Sequence, residues 1–242
     1  MKTSIVILSH NKMDYTRQCI ESIRRYTKRG TYEIIAVDNA STDNTVEWLK
    51  EQPEIIKLLN KENLGFPKGC NQGILAASGD NILLLNNDTV VTHNWLSNLL
   101  NCLYSSEDIG CVGPLTNYCS NNQAISIPYK TIPEMHDFAK QFNIPDDSKW
   151  KDRLKLIGFC LLIKKEVIDR VGLLDELFTP GNYEDDDYCL RVRAAGYRLV
   201  LCKDTFIHHY GSVSFGSNSQ NFTNTLDINK KSLNRNGSFQ VI

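Results

Sequence analysis

Three polar clusters in this chain have the residue types and spacing of a reactive site: Asn86-Asn87-Asp88, Glu184-Asp185-Asp186-Asp187 and His208-His209. The first sits directly behind the apolar run Ile82-Leu83-Leu84-Leu85. Apolar residues that stop abruptly in polar ones read as a buried strand delivering a carboxylate and amides to the mouth of a sheet. A carboxylate placed there can hold a hard divalent cation, and the cation can neutralise a phosphate leaving group. The same triplet is also good turn chemistry. The four consecutive acids stand before the helix-like segment Tyr188-Cys189-Leu190-Arg191-Val192-Arg193. One or two acids at a helix N-terminus complement its dipole. Four adjacent carboxylates repel one another, which stability alone does not explain, whereas a general base with a tuned pKa does. The histidines follow the apolar stretches 197–201 and 206–207. They read equally as hydrogen-bonded structural residues or as metal ligands.

The elements that must position these residues alternate along the chain. Residues 4–8 form a β-rich run that turns polar at Ser9-His10-Asn11, and residues 33–37 stop in Asp38-Asn39-Ala40-Ser41-Thr42-Asp43. Between them, Cys19, Ile20, Ile23 and Tyr26 recur at helical spacing over residues 15–26. A second helix holds Val46, Trp48 and Leu49, with Ser41 or Asp43 as its N-cap. Residues 55–59 and 80–85 give further strands, with a loop over 63–69 and a helix over 70–77 between them. Strands alternating with helices predict an α/β fold of βαβ units, with a mostly parallel, Rossmann-like sheet flanked by helices. Ligands gather outside the carboxyl ends of such strands, where Ser9, Asp38 and Asn86-Asn87-Asp88 all fall. Residues 116–152, rich in asparagine and carrying three prolines, predict a long irregular excursion of the kind that forms lids and binding loops. Regularity returns with a strand-like run over 156–163 and a helix over 165–171 that Gly172 ends. Residues 216–242 are polar and without period, and read as a loose tail or the stub of a longer protein.

Composition narrows the function classes. At 242 residues and 41% apolar content the chain can bury one large core or two small ones. With 27 basic and 28 acidic residues the net charge is −1, which gives no electrostatic footprint for a nucleic-acid partner. The eight cysteines form no Cys-x-x-Cys pair, so neither a zinc knuckle nor a thioredoxin-like site is expected. Several lie in apolar stretches as small hydrophobes, which predicts a reduced, cytoplasmic protein. The apolar part of the N-terminus is too short for a signal peptide, and no stretch is long enough to span a bilayer. Peripheral association with the inner face of the membrane stays open.

Six blocks in chain order resemble the family 2 glycosyltransferases with the GT-A fold, especially the bacterial rhamnosyl- and galactosyltransferase-like branch. They are Ser4-Ile5-Val6-Ile7-Leu8-Ser9-His10-Asn11, Val37-Asp38-Asn39-Ala40-Ser41-Thr42-Asp43, Asn63-Leu64-Gly65-Phe66 with Asn71-Gln72-Gly73, Leu84-Leu85-Asn86-Asn87-Asp88, Tyr183-Glu184-Asp185-Asp186-Asp187, and His209-Tyr210-Gly211. The resemblance implies a GT-A domain over residues 1–215, with a nucleotide-sugar-binding half (1–115) and a smaller acceptor and catalytic half (116–215), followed by a tail over 216–242. It implies inverting transfer of a sugar from a UDP- or dTDP-sugar to an acceptor hydroxyl. The acceptor would be a glycan, a lipid-linked glycan or a protein, in surface glycan synthesis. Asp38 would accept a hydrogen bond from the imide N–H of the base, Ser9, Asn11 and Asp43 would line the nucleoside pocket, and Gly65, Asn71 and Asn87 would border the ribose and diphosphate. Asp88 and His209 would bind Mn2+ or Mg2+. Asp185 would be the catalytic base, with Glu184 orienting it or touching the acceptor.

Two positions depart from the family pattern. Asn86 stands where the Asp-x-Asp signature has its first acid, which removes one negative charge from the metal site. Lys68 follows Gly65-Phe66-Pro67 where relatives often carry a small residue; it reads as a phosphate contact or as a solvated lysine. Two other function classes compete. A sugar-1-phosphate nucleotidyltransferase usually needs a glycine-rich basic loop, and residues 9–14 contain no glycine. A non-catalytic nucleotide-sugar or glycan-binding module is disfavoured by the presence of Asp88, Asp185 and His209 together.

Overall fold

The computed structural model describes residues 1–211 and Asn229. Asn229 apart, the tail expected over residues 216–242 lies outside the described residues. Strand β1 (Thr3–Ser9) is followed by α1 (Met13–Tyr26), β2 (Tyr32–Asp38), α2 (Thr45–Lys50), β3 (Ile55–Leu59), α3 (Phe66–Ala76) and β4 (Asn81–Asn86). Successive strand residues point to opposite faces, and both faces are covered. Ile5, Ile7, Leu83 and Leu85 share one core with Cys19, Ile20 and Ile23 of α1, while Val6, Val37, Ile82 and Leu84 share the other with Cys70 and Ile74 of α3. Helix α3 lies close against β1 because its contact positions are glycines. A Cβ on Gly69 would come within 2.4 Å of a Leu8 methyl, and one on Gly73 within 2.3 Å of Val6.

Residues 89 onward add β5 (Thr89–Val90), α4 (Trp95–Leu103), β6 (Ile109–Thr116), α5 (Ile132–Phe142), β7 (Trp150–Arg153), β8 (Cys160–Lys164), α6 (Lys165–Val171), α7 (Glu184–Ala194) and β9 (Arg198–His209). The strand order is β3-β2-β1-β4-β8-β6-β9-β5, with β7 paired to β9. Parallel pairing joins β3, β2, β1 and β4, and antiparallel pairing begins where β8 meets β4. The sheet as a whole is mixed, with β6 and β9 again parallel. The expected helix over 165–171 is α6, and Gly172 ends it at φ 90.

Three expectations change. Residues 116–152 are not wholly irregular: they contain α5 and the start of β7. Helix α5 has a complete capping box between Thr131 and Glu134, and Met135 and Ala139 pack its inner face with Tyr129 and Phe206. Helix α3 starts at Phe66 rather than Cys70, since Gly65 at φ 82 turns the chain and Pro67 suits a first turn. Strand β8 starts at Cys160, because the Gly158 N–H is drawn away to Asp185.

All eight cysteines are free and seven are buried. Burial pushes the Cys19 thiol up to about 12, so it behaves as a small hydrophobe. Among the described residues no helix is long and apolar enough to cross a membrane.

Candidate active site

Parallel register brings the ends of β1, β2 and β4 level, pairing Ser9 with Asp38 and Leu8 with Asn86. Just past Asn86, the two-residue strand β5 pairs Thr89 with His209. Asp88 and His209 therefore face one another, both buried, with Asp88 Oδ1 3.1 Å from His209 Nε2. His209 Nδ1 stands 2.8 Å from the Tyr118 carbonyl oxygen. A carbonyl can only accept, so Nδ1 carries a hydrogen and Nε2 is the nitrogen aimed at Asp88. Asn117 clamps the His209 backbone, accepting from its N–H at 2.8 Å and donating to its carbonyl at 2.9 Å. The Phe159 ring stacks on the imidazole at 5.2 Å with an interplanar angle of 16°.

These two side chains fit a divalent cation. Neighbouring ligands on an octahedral ion with bonds of ~2.1 Å stand ~3.0 Å apart, close to the spacing found here. An imidazole fixed by a carbonyl on its far nitrogen is the usual arrangement of a metal-binding histidine. Asn86 adds no charge; its Nδ2 lies 3.4 Å from His209 Nε2. Among the described residues no group of three or more His, Cys, Asp or Glu side chains forms a metal cage.

The acids of α7 reach the same corner through Gly158 and Phe159. The Gly158 N–H donates to Asp185 Oδ2 at 2.9 Å, and the Phe159 carbonyl accepts from the Asn86 N–H at 2.8 Å. Two adjacent residues thus tie Asp185 to the end of β4 and to His209. Within the acidic run, the charges divide into two pairs. Asp187 is neutralised by Arg191 at 2.8 Å and Asp186 by Lys155 at 2.9 Å. Among the described residues, Glu184 and Asp185 have no such ion pair. Burial, then the Asp185 and Asp186 charges, push the Glu184 carboxyl well above its ordinary value. Burial and the Asp186 charge also raise Asp185, against the Gly158 and Asp186 N–H groups and the Lys155 charge. Glu184 Oε2 is buried with no hydrogen-bond partner. Asn182 and Tyr183, just before these acids, have φ of 76 and 74, a conformation that costs on the order of 1–3 kcal/mol per residue and clusters at functional sites.

The expected nucleoside pocket assembles as a hydrogen-bonded loop. Asn11 Oδ1 accepts from the N–H groups of Thr42 at 2.7 Å and Asp43 at 3.3 Å, and the Asn11 N–H donates to Ser41 Oγ at 2.7 Å. Asp43 accepts from the Met13 and Thr45 N–H groups at 3.1 and 3.0 Å. Burial pushes the Asp43 carboxyl up, but the Thr45 hydroxyl and these N–H groups outweigh it and hold the carboxyl below its usual range. Asp38 is fully buried and accepts from the Ser9 hydroxyl at 3.2 Å, the Ser41 N–H at 2.8 Å and the Ser41 hydroxyl. The carboxylate expected to meet the base is thus occupied in fixing the loop.

Other predicted residues are also committed to the protein. Asn71 donates to the Leu174 carbonyl and to Glu176, and accepts from the Leu174 N–H, all within 3.0 Å. Asn87 turns to α1, donating to Thr16 at 3.0 Å. Gly65 lets the chain pass residues 179–180, where a Cβ would meet Thr179 at 2.8 Å and Pro180 at 3.0 Å. Lys68 is exposed in the first turn of α3. Four residues that position the site escaped the sequence: Asn39, which donates to the Gly65 carbonyl at 3.0 Å, and Asn117, Gly158 and Phe159. The excess of asparagine in residues 116–152 was a visible signal for Asn117; a glycine and an aromatic inside an apolar run carry none.

Comparison with known proteins accords with this geometry. Residues 4–172 match the family described as Glycosyl transferase family 2. Glycosyltransferase GlyG of Streptococcus pneumoniae serotype 4 is 30% identical over 216 residues, covering 85% of this chain and 67% of the relative. The O-antigen biosynthesis protein RfbC of Myxococcus xanthus is 27% identical over 234 residues, 88% of this chain but 18% of that protein. A Sinorhizobium fredii relative, y4gI, is 28% identical over 88% of this chain and 25% of its own length, so the chain spans a quarter or less of these two. Among solved structures, the mannosyltransferase PcManGT from Pyrobaculum calidifontis, in complex with GDP-Man and Mn2+, superposes with a TM-score of 0.65 at 18% identity, over 86% of this chain and 56% of that one. GalNAc-T7 with UDP, GalNAc and Mn2+ gives 0.69 at 16% identity, over 86% and 44%. With the family matched over most of the chain and the GT-A sheet shared with these structures, the chain belongs to glycosyl transferase family 2 as a glycosyltransferase domain.

Proposed function

We propose that this domain transfers a sugar from a nucleoside-diphosphate sugar to an acceptor hydroxyl in a single displacement, with inversion at the anomeric carbon. The observation that carries the reading is the Gly158-Phe159 link, which ties Asp185, a carboxylate with no ion pair among the described residues, to the corner where Asp88 and His209 meet. The acceptor oxygen forms its bond to the anomeric carbon as the bond to the diphosphate breaks; the electron pair leaves with the diphosphate and the acceptor proton passes to Asp185. A Mn2+ or Mg2+ ion bound by Asp88 and His209 would neutralise the departing diphosphate, so no acid is required at that end. Glu184, buried beside Asp185, orients the base or meets the acceptor.

The loop built on Ser9, Asn11, Asp38 and Asp43 holds the nucleoside. We assign Asp38 to fixing that loop, since its three internal hydrogen bonds and full burial leave it no exposed face. UDP or dTDP is the favoured nucleotide, on the resemblance to the rhamnosyl- and galactosyltransferase-like branch. The names of RfbC and of the low-salt glycan biosynthesis hexosyltransferase Agl10 of Haloferax volcanii support an acceptor in surface glycan synthesis, on a glycan, lipid-linked glycan or protein. Residues 116–152 shape the acceptor side, and the work is done in the cytoplasm at the inner face of the membrane.

The test is nucleotide release from UDP- and dTDP-sugars with Mn2+ present. Asp185→Asn should lose turnover while still binding nucleotide; turnover near that of the unmodified chain would remove the base from the scheme.

A further inference from the structure

One described side chain lies beyond Gly211 in sequence: Asn229, buried against the turn that feeds α7. Its Nδ2 is 3.0 Å from the carbonyl oxygens of Phe178 and Gly181, and 3.1 Å from that of Asn182. An amide nitrogen carries two hydrogens, so three converging carbonyls share them. The turn being held is unrelaxed. Asn182 and Tyr183 have φ of 76 and 74 in succession, and such backbone in non-glycine residues persists only where its surroundings over-determine it. On the other side, the Phe66 N–H donates to the Pro180 carbonyl at 2.8 Å, and Gly65 packs against the same residue. The Tyr183 carbonyl then accepts from the Asp187 N–H at 2.9 Å to open α7. The shape of this turn therefore sets the direction in which Glu184 and Asp185 leave the backbone.

We propose that Asn229 is a positioning residue for the Asp185 carboxylate, acting through the turn at residues 178–182. Its catalytic meaning rests on Asp185 being the base. A leucine at 229 keeps the shape without the donor, and an alanine removes both. Either change loosens the start of α7 and admits water to its two uncompensated acids.

The experiment is a 13C carboxyl NMR titration of the full chain, with Glu184→Gln and Asp185→Asn spectra to assign the two resonances. Among the described residues, the titratable groups that face them are each other, Asp186, Lys155, Cys70 and Cys189, and none is altered by these uncharged changes at 229. In Asn229→Leu and Asn229→Ala, which add no charge, the raised titrations should move down toward ordinary carboxylate values, with amide exchange in β1 and β4 unchanged. Unmoved titrations in both variants overturn the proposal. So does a shift accompanied by lost protection across β1 and β4, which marks general unfolding. Turnover of UDP-sugars by Asp185→Asn tests the reading beneath. If that variant keeps its turnover, the base assignment fails and takes the catalytic meaning of Asn229 with it, whatever the titrations give.

Discussion

Two sets of carboxylates occupy the same edge of one sheet and are treated in opposite ways. In the loops after β1 and β2, Asp38 and Asp43 accept hydrogen bonds from Ser9, Ser41, Met13 and Thr45, and those on Asp43 hold it below its ordinary range. At the start of α7, Glu184 and Asp185 have no ion pair among the described residues, and burial and neighbouring charge raise both. The first environment keeps Asp43 ionised and uses both acids to fix a loop. The second keeps an acid close to protonation, which suits a group that must take up a proton and release it. Residue type does not separate these roles; the partners do.

The sharpest way to break this contrast is at Asp185. Asp185→Asn should lower kcat by about a hundred- to ten-thousand-fold, with nucleotide affinity retained, as steady-state kinetics beside calorimetry will show. Next in size is the support of the metal pair. Asn117→Ala frees the His209 backbone and should weaken Mn2+ affinity on the order of tenfold, measured by titration with the ion. An affinity equal to that of the unmodified chain would mean that Asn117 serves only the loop.

How much of this was legible in the sequence differs between the same regions. Strands β1, β2 and β4 were readable because each apolar run stops abruptly in polar residues, and that stop is also what places Ser9, Asp38 and Asp88 at one edge. Helix α6 was readable from Gly172 at its end. Helix α5 was not, because prolines and charges around it masked the Thr131 and Glu134 capping box. The roles of Asn71 and Gly158 rest on partners in distant segments, Leu174 and Asp185, which no local pattern encodes. The four-acid run was legible as a site, but its division into two neutralised and two uncompensated acids required Lys155 and Arg191 in place.

Stability against pH sharpens the contrast further. Glu184 is raised, so the native state favours its protonated form: stability is full below the unfolded value and falls as pH rises through the raised one. Glu184→Gln should therefore raise Tm relative to the unmodified chain near pH 8 and leave it unchanged near pH 4, read by thermal denaturation. Asp43 has the opposite sign. Its depressed value adds stability above the unfolded pKa that is lost as pH falls through the folded one, so Asp43→Ala should lower Tm at neutral pH and less so in acid. Equal pH dependence in both variants would erase the distinction between loop acids and helix acids.

The central claim is that Asp88 and His209 form a cation site that completes nucleotide binding. Isothermal titration of UDP, dTDP and GDP, each with and without Mn2+, against the unmodified chain and Asp88→Ala tests it most directly. The account predicts metal-dependent binding of UDP or dTDP that disappears in Asp88→Ala. Nucleotide binding of equal strength without Mn2+, or preserved in the variant, would contradict it.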